Sequence, residues 1–293
     1  MPETVGLVGL GLVGSALIQR LTAAGYEVLG WDVDPAARDR AAALGARIAD
    51  GLTNVGAGAR VVLLSLPDSD VVGRVLWQEG LAEALAPGAL VLDTTTGRAE
   101  DAVANQRRLA EQGVRFVDVT LSGSSAEIAR GKATALIGGA EADADYRALV
   151  ECFAARLVFL CVPGNGCLAK LVVNHVMGLN RAALAEGLAL GERAGLDGTT
   201  LLEVLRESAA YSRVMDLKGE RMVARDYEPA SRIRQHAKDV RLILELAAES
   251  GARTPLEEVH AELLGKAIMQ GLGDADNAAL IEVFRGDRPG GGN

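Results

Sequence analysis

The hexapeptide Gly9-Leu10-Gly11-Leu12-Val13-Gly14 constrains this chain more than any other stretch. A short β-branched, apolar run, residues 4–8, leads into it, and helical periodicity over residues 15–24 follows before a stop at Gly25. Strand, glycine turn and helix in that order open a βαβ unit of a doubly wound sheet. Each glycine has its own reason. Gly9 allows the tight turn, Gly11 lets the backbone approach a bound group, and Gly14 lets the helix pack close to the strand. Alone, the pattern is weak in a chain with 35 glycines. The second strand, Glu27–Trp31, strengthens it by ending in Asp32, 18 residues after Gly14. A carboxylate there accepts hydrogen bonds from an adenosine ribose while phosphates sit at the helix N-terminus. Gly9, Leu10, Gly11, Leu12, Val13, Gly14 and Asp32 are therefore read as a dinucleotide site. Val33 stands where a 2′-phosphate would want an arginine, which points to NAD; Arg38 and Arg40 on the next helix keep NADP open.

The alternation continues. Residues 60–66 and 89–93 read as buried strands that end at Leu66-Pro67-Asp68 and Thr94-Thr95-Thr96. Ligands bind beyond the carboxyl ends of strands in open parallel sheets, so these loops are placed to touch adenosine and nicotinamide; Pro67 alone is also ordinary turn chemistry. Residues 115–119 lead to Leu121-Ser122-Gly123-Ser124-Ser125, whose hydroxyls and backbone N–H groups could cradle a carboxylate or could simply form a serine-rich turn. Residues 132–137 and 156–161 read as two more strands around a helix over 143–153.

From Asn165 onward the periodicity is helical. Asn165 fits an N-cap, and Gly195-Leu196 fits a stop with glycine in the left-handed position. Some thirty residues between them span about 43 Å at roughly 1.5 Å per residue. Leu168, Leu171, Val172, Val176, Leu179 and Leu184 make a wide apolar face. Lys170 and Asn174, one turn apart, share another face near the domain junction; in isolation a solvated lysine beside a surface amide is the plain reading. Later helical segments cover 199–209, Ile233–Ser250, Pro255–Met269 and 275–284, with Pro255 at a helix N1 position. The expected fold is α/β: a doubly wound Rossmann-type domain, 1–163, joined by a long helix to an all-α C-terminal domain, 164–293, with a disordered tail from about 285. Gly178, Ala182, Ala183 and Ala185 permit close helix approach, and the long helix carries more apolar surface than one small domain covers. A homo-oligomer, dimer or tetramer, is expected. Arg213, Lys218 and Arg221 read as solvated, and His236 as structural.

A net charge of −9 argues against nucleic acid or an anionic membrane as partners, since both want a basic footprint, and leaves small molecules. Cys152, Cys161 and Cys167, odd in number and without CxxC spacing, point away from disulfides and zinc and toward a reducing, cytoplasmic setting. His175, His236 and His260 lack ligand spacing, so no metal is expected. The apolar run over 5–18 has Glu3 and no basic residue before it, and is too short to cross a bilayer.

Four separated motifs, in order, resemble the β-hydroxyacid dehydrogenase family, relatives of 3-hydroxyisobutyrate dehydrogenase and tartronate semialdehyde reductase. They are Gly9 to Gly14, a D-x-S-T-like segment at Asp93 to Thr96, a substrate loop at Asp118 to Ser124, and G-x-G-x-x-x-K-x-x-x-N from Gly164 to Asn174; Lys238-Asp239 completes the set. The resemblance implies that Ser122 and Gly123, in the loop that runs to Ser124, hold a substrate carboxylate. It implies that Lys170 is the catalytic acid/base with Asn174 as its orienting partner, and that Thr96 and Lys238 touch the cofactor. The implied activity is hydride transfer between NAD(P) and a small carboxylate-bearing hydroxy acid or its semialdehyde. This chain departs from the family at Thr120 (proline), Ser124 (the second loop glycine), Thr95 (serine), Val173 (asparagine) and Ser231 (phenylalanine). Ser231 points to a more open, polar pocket and a small polyhydroxylated acid.

Three other readings share the fold. A 6-phosphogluconate-type decarboxylating enzyme would carry a histidine at Cys167 and an N-G-I-E-Y-like run where Asn174-His175-Val176 stands. An imine reductase usually replaces the lysine that is present as Lys170. A catalytically silent dinucleotide sensor has no use for an intact Lys170 and Asn174. Chemically, hydride leaves a carbinol carbon only as the hydroxyl proton is taken, so one group near that oxygen serves as base and acid. No histidine lies in a motif and Asp93 ends a buried strand, which leaves Lys170, its ammonium form disfavoured by burial or by the charge of oxidised nicotinamide.

Overall fold

Residues 3–286 are described by the computed structural model, and an eight-stranded sheet organises the first of its two units, Met1–Lys170. The strands are β1 (Thr4–Val8), β2 (Glu27–Trp31), β3 (Arg47–Ile48), β4 (Val61–Leu64), β5 (Leu90–Asp93), β6 (Arg115–Ser122), β7 (Ala133–Ile137) and β8 (Ala154–Phe159). Their order in space is β3-β2-β1-β4-β5-β6-β7-β8, with the strand order reversing beside β1. Every pair is parallel except β6 with β7. The connecting helices are α1 (Leu12–Ala23), α2 (Pro35–Ala43), α3 (Leu52–Gly58), α4 (Ser69–Trp77), α5 (Leu81–Ala84), α6 (Ala99–Ala110), α7 (Ser125–Ala129) and α8 (Arg147–Glu151).

Alternate residues of the central strands feed two separate cores. Leu63 and Leu92 pack into one with Leu17, Leu21 and Phe153, while Val62, Leu64 and Val91 pack into the other with Val72, Leu76 and Leu109. Burial on both faces is why these strands read as unbroken apolar runs. Two local expectations change. β6 continues through Ser122, which pairs with Thr134 on β7, because an antiparallel neighbour extends the ladder past the point where the apolar pattern stops. The helix expected over 143–153 shrinks to α8, preceded by a short 3-10 turn at Glu141–Asp143.

Among the described residues, every regular element of the second unit, Leu171–Asn293, is a helix. The long helix α9 (Asn165–Arg193) leads into it, followed by α10 (Gly198–Arg206), α11 (Glu220–Ala224), α12 (Ile233–Ser250), α13 (Pro255–Met269) and α14 (Ile281–Arg285). A π-helical turn, Met215–Gly219, precedes α11. The apolar face of α9 is split: Leu171 and Leu184 are buried, but Val172 and Val176 are 57% and 52% exposed. Three of the four small residues read as sites of approach by another chain serve inside the unit. Ala182 and Ala185 are buried. A Cβ on Gly178 would lie 2.6 Å from both His236 Nε2 and His260 Cε1, so this glycine is what lets α9 meet α12 and α13. His236 is buried there, its ring 5.1 Å from that of His260.

Lys218 and Arg221 are not solvated. Lys218 Nζ lies 2.7 and 2.9 Å from the two oxygens of buried Asp276, and Arg221 Nη1 lies 3.2 Å from one of them. Those partners are more than fifty residues apart in sequence, beyond the reach of a local pattern. Of the tail expected to be disordered, Arg285 belongs to α14 and pairs with Glu192 at 2.6 and 2.8 Å, while residues 287–293 lie outside those described. Among the described residues no helix is long and apolar enough to cross a membrane.

Candidate active site

The glycine turn has the geometry its sequence calls for. Gly9 has φ +93°, and a Cβ there would lie 2.2 Å from Ser65 O. A Cβ on Gly14 would lie 2.1 Å from Gly9 O, so only glycine lets α1 sit against β1. Gly11 differs, since nothing lies within 4 Å of its Cβ position; it is the extended N-cap of α1 and no side chain caps the helix. Open space beside uncapped N–H groups at a helix N-terminus fits a dinucleotide diphosphate. Asp32 closes the turn: its Oδ2 accepts from Leu10 N at 2.7 Å and its Oδ1 from Asp34 N at 2.8 Å, and a carboxylate retains further lone pairs for ribose hydroxyls. Arg38 stacks 4.8 Å from the Trp31 ring centroid and donates to Asp32 O at 2.7 Å, whereas Arg40 pairs on the surface with Asp34.

Beyond β4 and β5 the loops are tied to each other. Thr95 Oγ1 accepts from Leu66 N at 3.1 Å, and Thr94 Oγ1 donates to Leu64 O at 2.7 Å. Threonine in place of the family's serine at 95 keeps the hydroxyl this link needs. Asp93 beneath them accepts from Thr95 N at 2.9 Å, and burial pushes its carboxyl up to about 7, with Asp118 adding to the rise. Asp93 and Asp118 are cross-strand partners in the sheet.

At the end of β6, Ser124 forms a capping box on α7. Its hydroxyl accepts from Glu127 N at 3.2 Å and its N–H donates to Glu127 Oε2 at 2.8 Å. The expected Ser122-Gly123-Ser124 cradle therefore has one member engaged with Glu127, leaving Ser122 and Gly123, whose φ of +151° suits glycine. The residues before them reach α9. Asp118 Oδ1 accepts from Gly164 N at 3.0 Å and Oδ2 from Cys167 N at 3.1 Å, and Thr120 Oγ1 donates to Gly166 O at 2.8 Å. Asn165, read as the cap, turns its amide nitrogen to Leu160 O at 3.0 Å. Cys167 is buried, and desolvation followed by the charges of Asp118 and Asp93 raises its thiol well above the ordinary range, so it is no nucleophile. Lys170, one turn on, is 9% exposed and not a surface lysine.

In the second unit, Asn174 Nδ2 donates to Asp239 Oδ2 at 2.9 Å, and Lys238 Nζ lies 2.8 Å from Asp239 Oδ1. Asn174 Oδ1 is buried without a hydrogen-bond partner among the described residues, so an acceptor is held in reserve. Arg181 is wholly buried, and desolvation lowers it to about 10 against the opposing charges of Asp276, Asp239 and Glu257. The connection from Asp239 to Asn174 escaped the sequence reading, although the Lys238-Asp239 pair was the signal that marked it. Ser231 Oγ accepts from Lys218 Nζ and Asn277 Nδ2, both at 3.1 Å. Among the described residues no group of three or more His, Cys, Asp or Glu is placed to hold a metal ion.

Residues 4–163 match the family model for the NAD binding domain of 6-phosphogluconate dehydrogenase, and residues 164–284 the model for the NAD-binding of NADP-dependent 3-hydroxyisobutyrate dehydrogenase. L-threonate dehydrogenase of Cupriavidus necator is 31% identical over 289 residues, 98% of this chain and 97% of that protein. The chain belongs to the β-hydroxyacid dehydrogenase family. Glyoxylate/succinic semialdehyde reductase 1 of Arabidopsis thaliana is 30% identical to this β-hydroxyacid dehydrogenase over 286 residues, 97% of this chain and 99% of that one. The structure of Mycobacterium tuberculosis 3-hydroxyisobutyrate dehydrogenase with L-serine superimposes with a TM-score of 0.86 at 26% identity, covering 98% of this chain and 100% of that one. As a β-hydroxyacid dehydrogenase the protein is an oxidoreductase that uses NAD(P).

Proposed function

We propose that this enzyme moves a hydride between NAD(H) and a small hydroxy acid or its semialdehyde, with Lys170 as general acid/base. Gly9 to Gly14 and Asp32 would hold the dinucleotide, with Leu66, Pro67, Thr96 and Lys238 as further contacts. Bound NAD(H) supplies the hydride acceptor or donor. The chain's own residues do the rest. Ser122 and Gly123 hold the substrate carboxylate, Lys170 exchanges a proton with the substrate oxygen, and Asn174 Oδ1 accepts from the lysine or the substrate hydroxyl. The observation that carries this reading is the pair on α9: a lysine 9% exposed, with a buried amide one turn on whose oxygen lacks a partner. NAD is read over NADP because the Asp32 carboxylate would repel a 2′-phosphate. Relatives named for L-threonate and for glyoxylate and succinic semialdehyde support a small carboxylate-bearing substrate, and a polyhydroxylated one is the class we favour.

One assay tests these points. Turnover across about twenty hydroxy acids and semialdehydes is expected to favour NAD by kcat/KM and a polyhydroxylated acid over 3-hydroxyisobutyrate. The primary amide of the best acid is expected to lose at least about tenfold, roughly 1.4 kcal/mol, because neutral oxygen leaves charge-assisted donors poorly paired. Equal turnover of acid and amide gives the Ser122 loop a structural role, and silence across the panel favours a sensor.

A cytoplasmic homo-oligomer completes the proposal. Val172, Val176, Ala183 and Leu190 leave an exposed, apolar line of residues along α9. Light scattering at micromolar concentration is expected to give a multiple of the 30.5 kDa chain mass; the chain mass itself would refute the oligomer.

A further inference from the structure

We infer that Asp118 and Thr120 are positioning residues that fix Lys170 against the substrate loop, a role that rests on the acid/base reading of Lys170. The argument starts from helix ends. The first N–H groups of a helix have no partner within it and favour negative charge. The start of α9 finds its carboxylate far upstream, on β6, where Asp118 accepts from Gly164 N, 46 residues on, and from Cys167 N, 49 residues on. Thr120 adds a bond of opposite sense, its hydroxyl donating to Gly166 O at 2.8 Å. Asp118, Thr120 and Ser122 alternate along one strand and so share one face of it. Two members of that row hold the first turn of α9. The third is the proposed carboxylate ligand, and Lys170 opens the next turn of the helix. Strand row and helix together set where the base stands relative to the substrate.

Backbone packs closely around the clamp. A Cβ on Gly138 would lie 2.1 Å from Asp118 Oδ1, and one on Gly166 would lie 2.7 Å from Asp118 Oδ2 and 2.6 Å from Leu136 O. Bare backbone therefore closes on the carboxylate from two sides, and Gly138 N donates to Asp118 O at 2.9 Å. Thr120 is fully buried and stands where the family's usual proline would have no hydroxyl to offer. Proton transfer needs the base held within a fraction of an ångström, so loosening this turn should reduce the chemical step and spare cofactor binding.

The test is a double-mutant cycle with Lys170→Ala. Asp118→Asn keeps the shape but can accept through only one oxygen, and its amide hydrogens would face the other N–H. We expect it to lower kcat about 10- to 100-fold with NADH affinity within about threefold, yet to cost less than about twofold in the Lys170→Ala background. Thr120→Val should show the same background dependence with a smaller loss, and it carries the test if Asp118→Asn fails to fold. Equal losses with and without Lys170 would mean a general structural role and overturn the inference. A crippled Lys170→Ala beside Asp118→Asn and Thr120→Val at full kcat overturns the inference alone. A Lys170→Ala enzyme with more than a tenth of wild-type kcat overturns the acid/base reading and this inference with it.

Discussion

Replacing Lys170 by alanine is expected to lower kcat by about two to four orders of magnitude, the range for a lost general acid/base, while NADH affinity stays within severalfold. The size of the effect follows from how poor the other titratable groups of the neighbouring motifs are as substitutes. Cys167, one turn earlier, is buried with its thiol held in the neutral form. Asp93 and Asp118 are buried and already accept backbone N–H bonds. Asn174→Ala should cost less, because an amide can orient a proton but cannot take it. Its loss should also leave the Asp239 carboxylate without the donor it now has at 2.9 Å. Steady-state rates beside NADH titration by fluorescence decide the matter. A folded Lys170→Ala enzyme that keeps more than a tenth of its activity removes the assignment.

The second large effect is on stability and comes from Asp93. Its carboxyl is raised from 3.8 to about 7, first by burial. In the window between those values the folded protein keeps a proton that the unfolded chain has released, so stability is full at the acid end and falls as pH rises toward 7. A shift of about three units at roughly 1.4 kcal/mol per unit amounts to about 4 kcal/mol over the window. Asp93→Asn is neutral at every pH and should remove that slope. Urea unfolding followed by tryptophan fluorescence is a suitable probe, since Trp31 and Trp77 both lie in the first unit. We expect the wild-type protein to lose stability between pH 5 and pH 8 and the variant to stay level, with a difference of at least about 2 kcal/mol between their slopes across that range. Parallel pH curves for the two proteins would show that Asp93 ionises normally.

Much of this molecule was legible in its sequence, and the legible parts share a cause. β1, β2, α12 and α13 begin and end where the patterns put them, because period, cap and stop are properties of neighbouring residues. The glycine turn was equally plain: Gly14 answers to Gly9 O on the same turn, and Gly9, which meets Ser65 O just beyond β4, also has a φ of +93° that by itself favours glycine. β3, only two residues long, carries no periodicity that a local pattern could show.

What the sequence by itself determined was therefore the doubly wound sheet, the long helix, the helical second half and the motif residues with their family. What the tertiary structure decided was how those residues are held. Ser124 became a cap through Glu127, Lys218 found a buried carboxylate 58 residues away, Asp239 took the Asn174 amide 65 residues before it, and Asp118 rather than Asn165 received the first turn of α9. The last three rest on hydrogen bonds between elements far apart in sequence. Such bonds depend on which buried donors and acceptors the packed fold leaves facing one another, and no local pattern of residues encodes that.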